Sequence, residues 1–433
     1  MALKVSRRQF VQSGTLAAAG AVSALVSSRA AGANERIRLG FIGVANRGGQ
    51  LLGCTTPFED AEVVALCDVY RPTIETWAAS VPNKVALYGD YRQMLEKEQL
   101  DAVVIATPDH WHALQTIDAC EAGLDVYVEK PMSITIHEGR RMIDAVRRTN
   151  RVVQVGIQRR SCDTLAKARD FVQADNIGPV VVGRCCRVSN MWPGGIGNPP
   201  DSDPPAGLDW DMWLGPRPYR PFNPAIAPYN FRWHKEFSSQ LANWGVHYFD
   251  AFRMVLNEDM PTSICAMGGR LLLDDARSIP DTMEVVYAFP SRRMVHFSQY
   301  ETSSNPLLRS GMVEFRGTIG TLYYQGARFE VVPEFGGQFH DREKRMEPVE
   351  VKGDVNDPTS QHIRNFLDCV KSRETPNCSI EEGHKSTTVA LLGNISLEVG
   401  ERIEWDPVAE RITNHEKANE LLHYEYREPW KLA

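Results

Sequence analysis

Between residues 37 and 156 the chain repeats one short pattern: an apolar run, a turn rich in polar residues or glycine, then a segment of helical periodicity. Ile37–Ile42 runs into Gly43-Val44-Ala45-Asn46-Arg47-Gly48, and Val63–Cys67 ends in Asp68. Ala102–Ala106 closes on Thr107-Pro108-Asp109-His110-Trp111-His112, Asp125–Val128 on Glu129-Lys130-Pro131, and Val152–Val155 on Gly156. Continuous apolar runs suit strands covered on both faces, and strands separated by helices pair in parallel through crossovers. The expectation is an α/β protein whose residues 34–156 form a doubly wound parallel sheet. Thr135-x-x-Glu138 has the form of a capping box that opens one of the helices.

The first turn carries the first and third glycines of a G-x-G-x-x-G fingerprint, Gly43 and Gly48, with Ala45 at the middle position. That middle position lets the backbone approach a pyrophosphate, and a methyl group narrows the approach without closing it. Asp68 falls where an acid grips the ribose hydroxyls of a dinucleotide, and its charge repels a 2′-phosphate, which favours NAD over NADP. Open α/β sheets bind ligands beyond the carboxyl ends of their strands, so Lys130, at such an end and followed by a proline, is the candidate proton acceptor.

Ser6-Arg7-Arg8-Gln9-Phe10-Val11, an apolar stretch from Leu16 to Val26, and Ala31-Gly32-Ala33 have the order of a twin-arginine export signal, so residues 1–33 are set aside from the fold. The apolar stretch is too short to span a bilayer, and no stable membrane anchor is expected. Removing that segment moves the formal net charge from −7 to −11, which argues against a nucleic-acid partner. Nine cysteines, an odd number without a C-x-x-C or a His/Cys cluster, predict neither a disulfide framework nor a metal site.

Residues 157–433 read as a second, α+β domain. Met283–Phe289 and Met294–Phe297 have the pattern of antiparallel strands, and residues 361–433 contain helices that fold back on the first domain. From Ser189 to Trp233 the chain is irregular, with ten prolines and four tryptophans. Trp192 and Trp233 are candidate walls for the apolar faces of a sugar, and a packed Ω-loop covering the sheet is the equal alternative. Gln240–Leu256 is predicted helical, with Asn243, His247, Asp250 and Met254 on one stripe. A polar stripe on an otherwise apolar helix predicts something polar opposite it.

Several motifs together resemble the Gfo/Idh/MocA oxidoreductases, a family that includes glucose-fructose oxidoreductase and inositol dehydrogenase. They are the Gly-rich turn with Arg47-Gly48, Thr-Pro-x-His-x-His at 107–112, Glu129-Lys130-Pro131, Leu208-Asp209-Trp210-Asp211-Met212-Trp213-Leu214-Gly215-Pro216, Asn243-Trp244-Gly245-Val246-His247, Glu382-Gly383-His384-Lys385-Ser386 and Tyr426-Arg427-Glu428-Pro429-Trp430. The later ones are similar to the exported branch of that family. The resemblance implies a Rossmann domain followed by a large, open, mostly antiparallel sheet, a tightly bound NAD, a sugar, polyol or glycoside substrate, and a homodimer or homotetramer. It implies a cofactor site made of Gly43, Ala45, Asn46, Arg47, Gly48, Asp68, Thr107, Pro108, Asp109, His112, Glu129 and Lys130. Lys130 and His247 are then the expected catalytic pair, with Arg159 and Asn243 positioning substrate hydroxyls. Family members commonly carry aspartate four residues before the histidine, whereas this chain has Asn243, which orients an imidazole but supplies no charge. Three functions fit: hydride transfer at a secondary alcohol, an NAD-dependent glycosidase working by transient oxidation and elimination, and a sugar-binding protein that has lost catalysis.

Overall fold

The computed structural model describes residues 36–432 apart from 310, 338 and 340, and the expected export signal lies outside the described residues. Six strands, β1 (Ile37–Ile42), β2 (Ala61–Cys67), β3 (Ala86–Tyr88), β4 (Ala102–Ile105), β5 (Asp125–Val128) and β6 (Val153–Val155), form one sheet in the order β3-β2-β1-β4-β5-β6. Every pairing in it is parallel. Strands β4, β5 and β6 are buried along their whole length, which is why their sequences run apolar without alternation. The strand order reverses between β1 and β4, and the turns that follow these two strands meet there. A Cβ on Gly43 would lie 2.7 Å from the Thr107 nitrogen. Such a switch point is where sheets of this kind open a ligand crevice. The Thr135–Glu138 capping box is formed in full at the start of the helix Ile136–Thr149.

The second sheet contains β7 (Val180–Asn190), β8 (Ser263–Gly269), β9 (Thr282–Ala288), β10 (Met294–Tyr300), β11 (Thr302–Ser303), β12 (Val313–Gly317), β13 (Gly320–Gln325), β14 (Arg328–Pro333), β15 (Val349–Lys352), β16 (Ile403–Asp406) and β17 (Arg411–Ile412). Its order is β15-β14-β13-β12-β7-β10-β9-β8-β16-β17, with β11 beside β7, and among the described residues only β7 and β10 pair in parallel. Alternate residues of β9, Met283, Val285 and Tyr287, are buried. Tyr287 meets Phe249 of the helix Val246–Leu256 edge-on at 4.9 Å. The opposite face leaves Met267 79% exposed and Met294 43% exposed, so the sheet is covered on one side only.

The irregular segment after β7 is a small packed unit. Trp210 and Trp213 stack at 4.8 Å and share a cluster with Phe222, Ile226, Phe231 and Phe237. Its backbone attaches to the first domain through Arg71 N–H to the Gly207 carbonyl and Asp209 N–H to the Val69 carbonyl, both at 2.9 Å. The C-terminal motif clamps this unit in place: the Arg427 guanidinium donates to the Gly215 carbonyl, and Trp430 packs edge-on against Trp111 at 4.8 Å. Gly215 is required there, since a Cβ would stand 2.2 Å from the Trp111 ring. The helix Thr359–Ser372 lies on the first domain, with Ile363, Phe366 and Leu367 in one core with Ile37 and Val63, and with Arg364 paired to Asp60 at 2.7 Å.

Candidate active site and cofactor cleft

The switch point opens into a cleft that, with the solvent at its mouth, spans about 920 Å³ of atom-free space. One side is the first domain: Gly43, Ala45, Asn46, Arg47, Asp68, Thr107 and Pro108. The other side is the packed segment of the second domain, including Met212, Trp213, Tyr229, Phe231 and Arg232. Gly43 has φ +80°, and a Cβ on Gly48 would stand 1.9 Å from the Gly43 carbonyl oxygen, so the turn closes only with glycine at both positions. The helix Arg47–Thr55 begins directly on this turn, which sets its N-terminal N–H groups and partial positive charge at the cleft. The Asp68 carboxylate accepts from the Val44 and Tyr70 amides, each at 3.0 Å. Burial raises its pKa and these amides draw it back. A glycine cradle at a helix start, a carboxylate at the end of β2 and an apolar roof fit a dinucleotide: pyrophosphate on residues 43–48, adenosine ribose on Asp68.

The end of β5 is tied to that cradle. Arg47 Nε pairs with Glu129 Oε1 at 2.8 Å. Burial would raise the Glu129 pKa, but the neighbouring charges of Arg47 and Lys130 outweigh it and hold the carboxyl below its ordinary value. Lys130 Nζ donates to Asn243 Oδ1 at 2.8 Å, which spans from the first domain to the second. Desolvation pulls the Lys130 pKa down to about 8, against Glu129 and Asp109, which raise it, and with Arg232 and Arg47, which lower it. A primary amine therefore stands at the strand end with about a tenth of it as free base at pH 7 and half near pH 8.

His247 lies one helical turn beyond Asn243, buried at 6% exposure, and its Nδ1 has no hydrogen-bond partner among the described residues. Desolvation first, then the Arg159 and Lys130 charges, hold its pKa well below the ordinary value, so the imidazole is neutral. Arg159 sits on the turn Gln158–Ser161 with its guanidinium 5.5 Å from the Tyr248 ring centre, and Nη1 is likewise buried without a partner. The neighbouring Arg160 anchors this turn: it pairs with Asp250 at 2.8 Å and Glu382 at 2.7 Å, and Ser386 donates to Asp250 at 2.8 Å. The Glu382–Ser386 motif is thus a brace beneath Arg159 and His247. Gly383 serves it by close packing, since a Cβ would stand 2.3 Å from Val155.

Several expectations are corrected here. The predicted continuous helix over 240–256 begins with a π turn, Leu241–Gly245, before the α-helix Val246–Leu256. Such wide turns recur at functional sites because they re-aim a side chain. Asn243 accordingly bonds Lys130 rather than orienting His247. Asp250, expected on the polar stripe facing the site, is fully buried in the Arg160 brace. Asp109 and His112, expected at the cofactor, are turned inward. Asp109 accepts from the Ser238 hydroxyl, and His112 reaches the carbonyls of Pro131 and Thr107 at 2.7 and 2.8 Å, stapling two strand-end turns together. Trp233 is pinned by its indole N–H to the Glu301 carboxylate at 3.0 Å, and Trp192 is 60% exposed. Of the two roles weighed for the tryptophan-rich segment, packing dominates, and the surface it covers is the cofactor cleft.

The sequence reading did not single out Tyr229 and Arg232 in the roof, Gln158 and Gln240 with buried unpartnered Oε1 atoms, or Arg187. Arg187 was the findable one. It occupies an inward position of β7, two residues beyond buried Cys185, and an inward-facing arginine in a strand is rarely there for packing.

A nucleotide cradle, an amine at the adjacent strand end and a second domain closing over both define a dinucleotide-binding oxidoreductase. Comparison with known proteins agrees. Residues 37–157 match the family model described as "Oxidoreductase family, NAD-binding Rossmann fold", and residues 186–432 match "Oxidoreductase family, C-terminal alpha/beta domain". The chain belongs to the Gfo/Idh/MocA oxidoreductase family. The aldose-aldose oxidoreductase of Caulobacter crescentus, solved with glycerol, superposes with a TM-score of 0.65 at 16% identity, covering 86% of this chain and all of that one. The WlbA dehydrogenase of Bordetella pertussis, solved with NADH and UDP-GlcNAcA, gives 0.64 at 19% identity, covering 86% and 99%. Among curated relatives, an alpha-N-acetylgalactosaminidase of Shewanella oneidensis is 33% identical over 125 residues, and a glycosyl hydrolase family 109 protein of another Shewanella strain is 34% identical over the same length. Each match spans 27% of this chain and 27% of the relative.

Proposed function

We propose that the protein transfers hydride between a tightly held NAD and a secondary hydroxyl of a sugar, polyol or glycoside. The observation that carries this reading is the Lys130–Asn243 contact at the end of β5, beside the glycine cradle and within the field felt by His247. The dinucleotide, when bound, supplies the hydride acceptor. Lys130 takes the hydroxyl proton, and its depressed pKa keeps the free base available. Asn243 Oδ1 fixes the direction of the amine while adding no charge that would restore its basicity. Neutral His247 holds the same hydroxyl or its neighbour through the nitrogen left unpartnered. Arg159, Gln158 and Gln240 present further unpaired polar atoms, and a buried polar group without a partner is costly enough to mark where a ligand completes the structure.

Asp68 favours NAD over NADP by repulsion of a 2′-phosphate. Export through the twin-arginine pathway, read from residues 6–11, would carry the cofactor out inside the folded protein and require its regeneration in place. A cycle that oxidises one sugar and reduces another carbonyl meets that requirement. The uncovered face of the large sheet is the surface on which a homo-oligomer would form. A second reading, an NAD-dependent glycosidase, is favoured by the names of the Shewanella relatives. In it, transient oxidation acidifies a neighbouring C–H, and the same Lys130 and His247 serve the elimination. Purified protein should release NAD on denaturation. Sugars alone should reduce the bound cofactor, with reoxidation by a second sugar. Release of an aryl leaving group without lasting reduction selects the glycosidase instead, and a protein holding no nicotinamide and inert to both substrate types overturns both readings.

A further inference from the structure

The residues that follow the two site residues of the helix, Trp244 after Asn243 and Tyr248 after His247, each carry an arginine on their ring. Arg187 lies 4.2 Å over Trp244, and Arg159 lies 5.5 Å over Tyr248. Neither guanidinium forms an ion pair among the described residues. The side-chain partner of Arg159 is the Met312 sulfur at 3.0 Å, and its Nη1, like Nε of Arg187, is buried without an acceptor. Both charges bear on the Tyr248 hydroxyl, which burial raises to about 12 against the pull of the two arginines. Other arginines at comparable depth are mostly matched, Arg160 with Asp250 and Glu382, Arg253 with Glu382, and Arg277 with Asp275 and Glu301, while Arg217 stacks singly on Tyr424 at 3.9 Å without an ion pair among the described residues. An aromatic face stabilises a cation by only about 0.5–2 kcal/mol, less than a paired carboxylate in a desolvated site. Two guanidiniums beside the helix segment that carries Asn243 and His247 are thus left without a counter-charge among the described residues.

We infer that the missing counter-charge arrives with the substrate, and that the site takes sugars bearing an oxyanion, whose negative group is clamped by Arg159 and Arg187. This deepens the oxidoreductase reading and rests on it for the location of the substrate cleft. Guanidinium forks match the planar oxygens of a carboxylate and also those of a phosphate. The shared chemistry is therefore an oxyanion attached to a sugar, at a carbon other than the one that Lys130 deprotonates.

The test is calorimetric titration of the holoprotein with D-galacturonate, D-glucuronate, galactose 6-phosphate and glucose 6-phosphate, each against neutral galactose or glucose, with the absorbance of the bound cofactor followed in parallel. At least one charged sugar should bind roughly tenfold or more tightly than its neutral counterpart, since a desolvated charge pair is worth at least that factor. Preference for the uronates identifies a carboxylate, and preference for the phosphates identifies a phosphate. The advantage should fall at least severalfold in Arg187→Gln, whose residue lies at the partly exposed end of its strand, and again in Arg159→Gln. Equal or tighter binding of the neutral sugars, no binding of any charged one, or an advantage that survives both substitutions overturns the inference. The two readings fail separately. Binding of a charged sugar with no change in cofactor absorbance sinks hydride transfer and leaves the oxyanion site standing, whereas reduction by neutral sugars without charge preference does the reverse.

Discussion

The two halves of the cleft are built on opposite principles. On the cofactor side, shape comes from backbone: glycines at 43 and 48, a helix start at Arg47 and an apolar roof from Met212, Trp213 and Phe231, with its carboxylate already bonded to amides. On the proposed substrate side, the side chains come from three separate elements, and polar atoms of each lack a partner among the described residues: His247 Nδ1, Arg159 Nη1 and Arg187 Nε. A region complete in itself binds what all relatives share, and a region left incomplete is where a particular substrate must supply the remainder. The first is stiff and general, the second specific.

Four perturbations break or sharpen this contrast. Lys130→Met should lower turnover about a thousandfold, as loss of a positioned general base does, while co-purified cofactor stays near one per chain. Gly48→Ala should do the reverse, since its methyl would meet the Gly43 carbonyl: cofactor content falls steeply, by roughly ten- to a hundredfold in affinity, with activity restored in part by excess NAD. Asn243→Asp places a carboxylate against the amine and should raise the Lys130 pKa. In the unmodified protein the oxidation rate rises with pH through about 8 as the amine loses its proton, and in this variant the rise moves to higher pH. The linked effect on the unmodified fold has a definite sign. The folded pKa lies below the unfolded 10.5, so the unfolded chain binds more protons between about 8 and 10.5, and stability increases with pH across that window. Trp192→Ala, at a 60% exposed residue, should change turnover less than about twofold and stability by under about 0.5 kcal/mol.

The first domain was legible because its code is local. Each apolar run, its turn and the capping box at Thr135 appear in sequence as they appear in space, and Lys130 announces itself by its place at a strand end. The second domain's part of the site was legible only in pieces. A helical period puts Asn243, His247 and Asp250 on one stripe, yet a π turn and the pull of Arg160 send Asn243 to Lys130 and Asp250 to Arg160, and leave His247 Nδ1 without a partner among the described residues. Tryptophans 210 and 213 signal burial against something flat without saying what. That surface belongs to Asp68 and Thr107, more than a hundred residues away in the chain, and only the bridges at Val69–Arg71 reveal it. Unpaired charge is equally invisible in sequence, since whether Arg187 has a partner depends on every element around it.

The central claim is that the amine at the end of β5 removes the proton that lets a hydride leave the sugar. A single-turnover experiment tests it most directly: holoprotein is mixed with sugar, and the near-ultraviolet absorbance of reduced nicotinamide is followed in the unmodified chain and in Lys130→Met across the pH range around 8. The account predicts a fast rise whose rate climbs with pH in the unmodified protein, and a slow, pH-independent rise in the variant. Equal rates in the two proteins, with the same pH dependence, would contradict it.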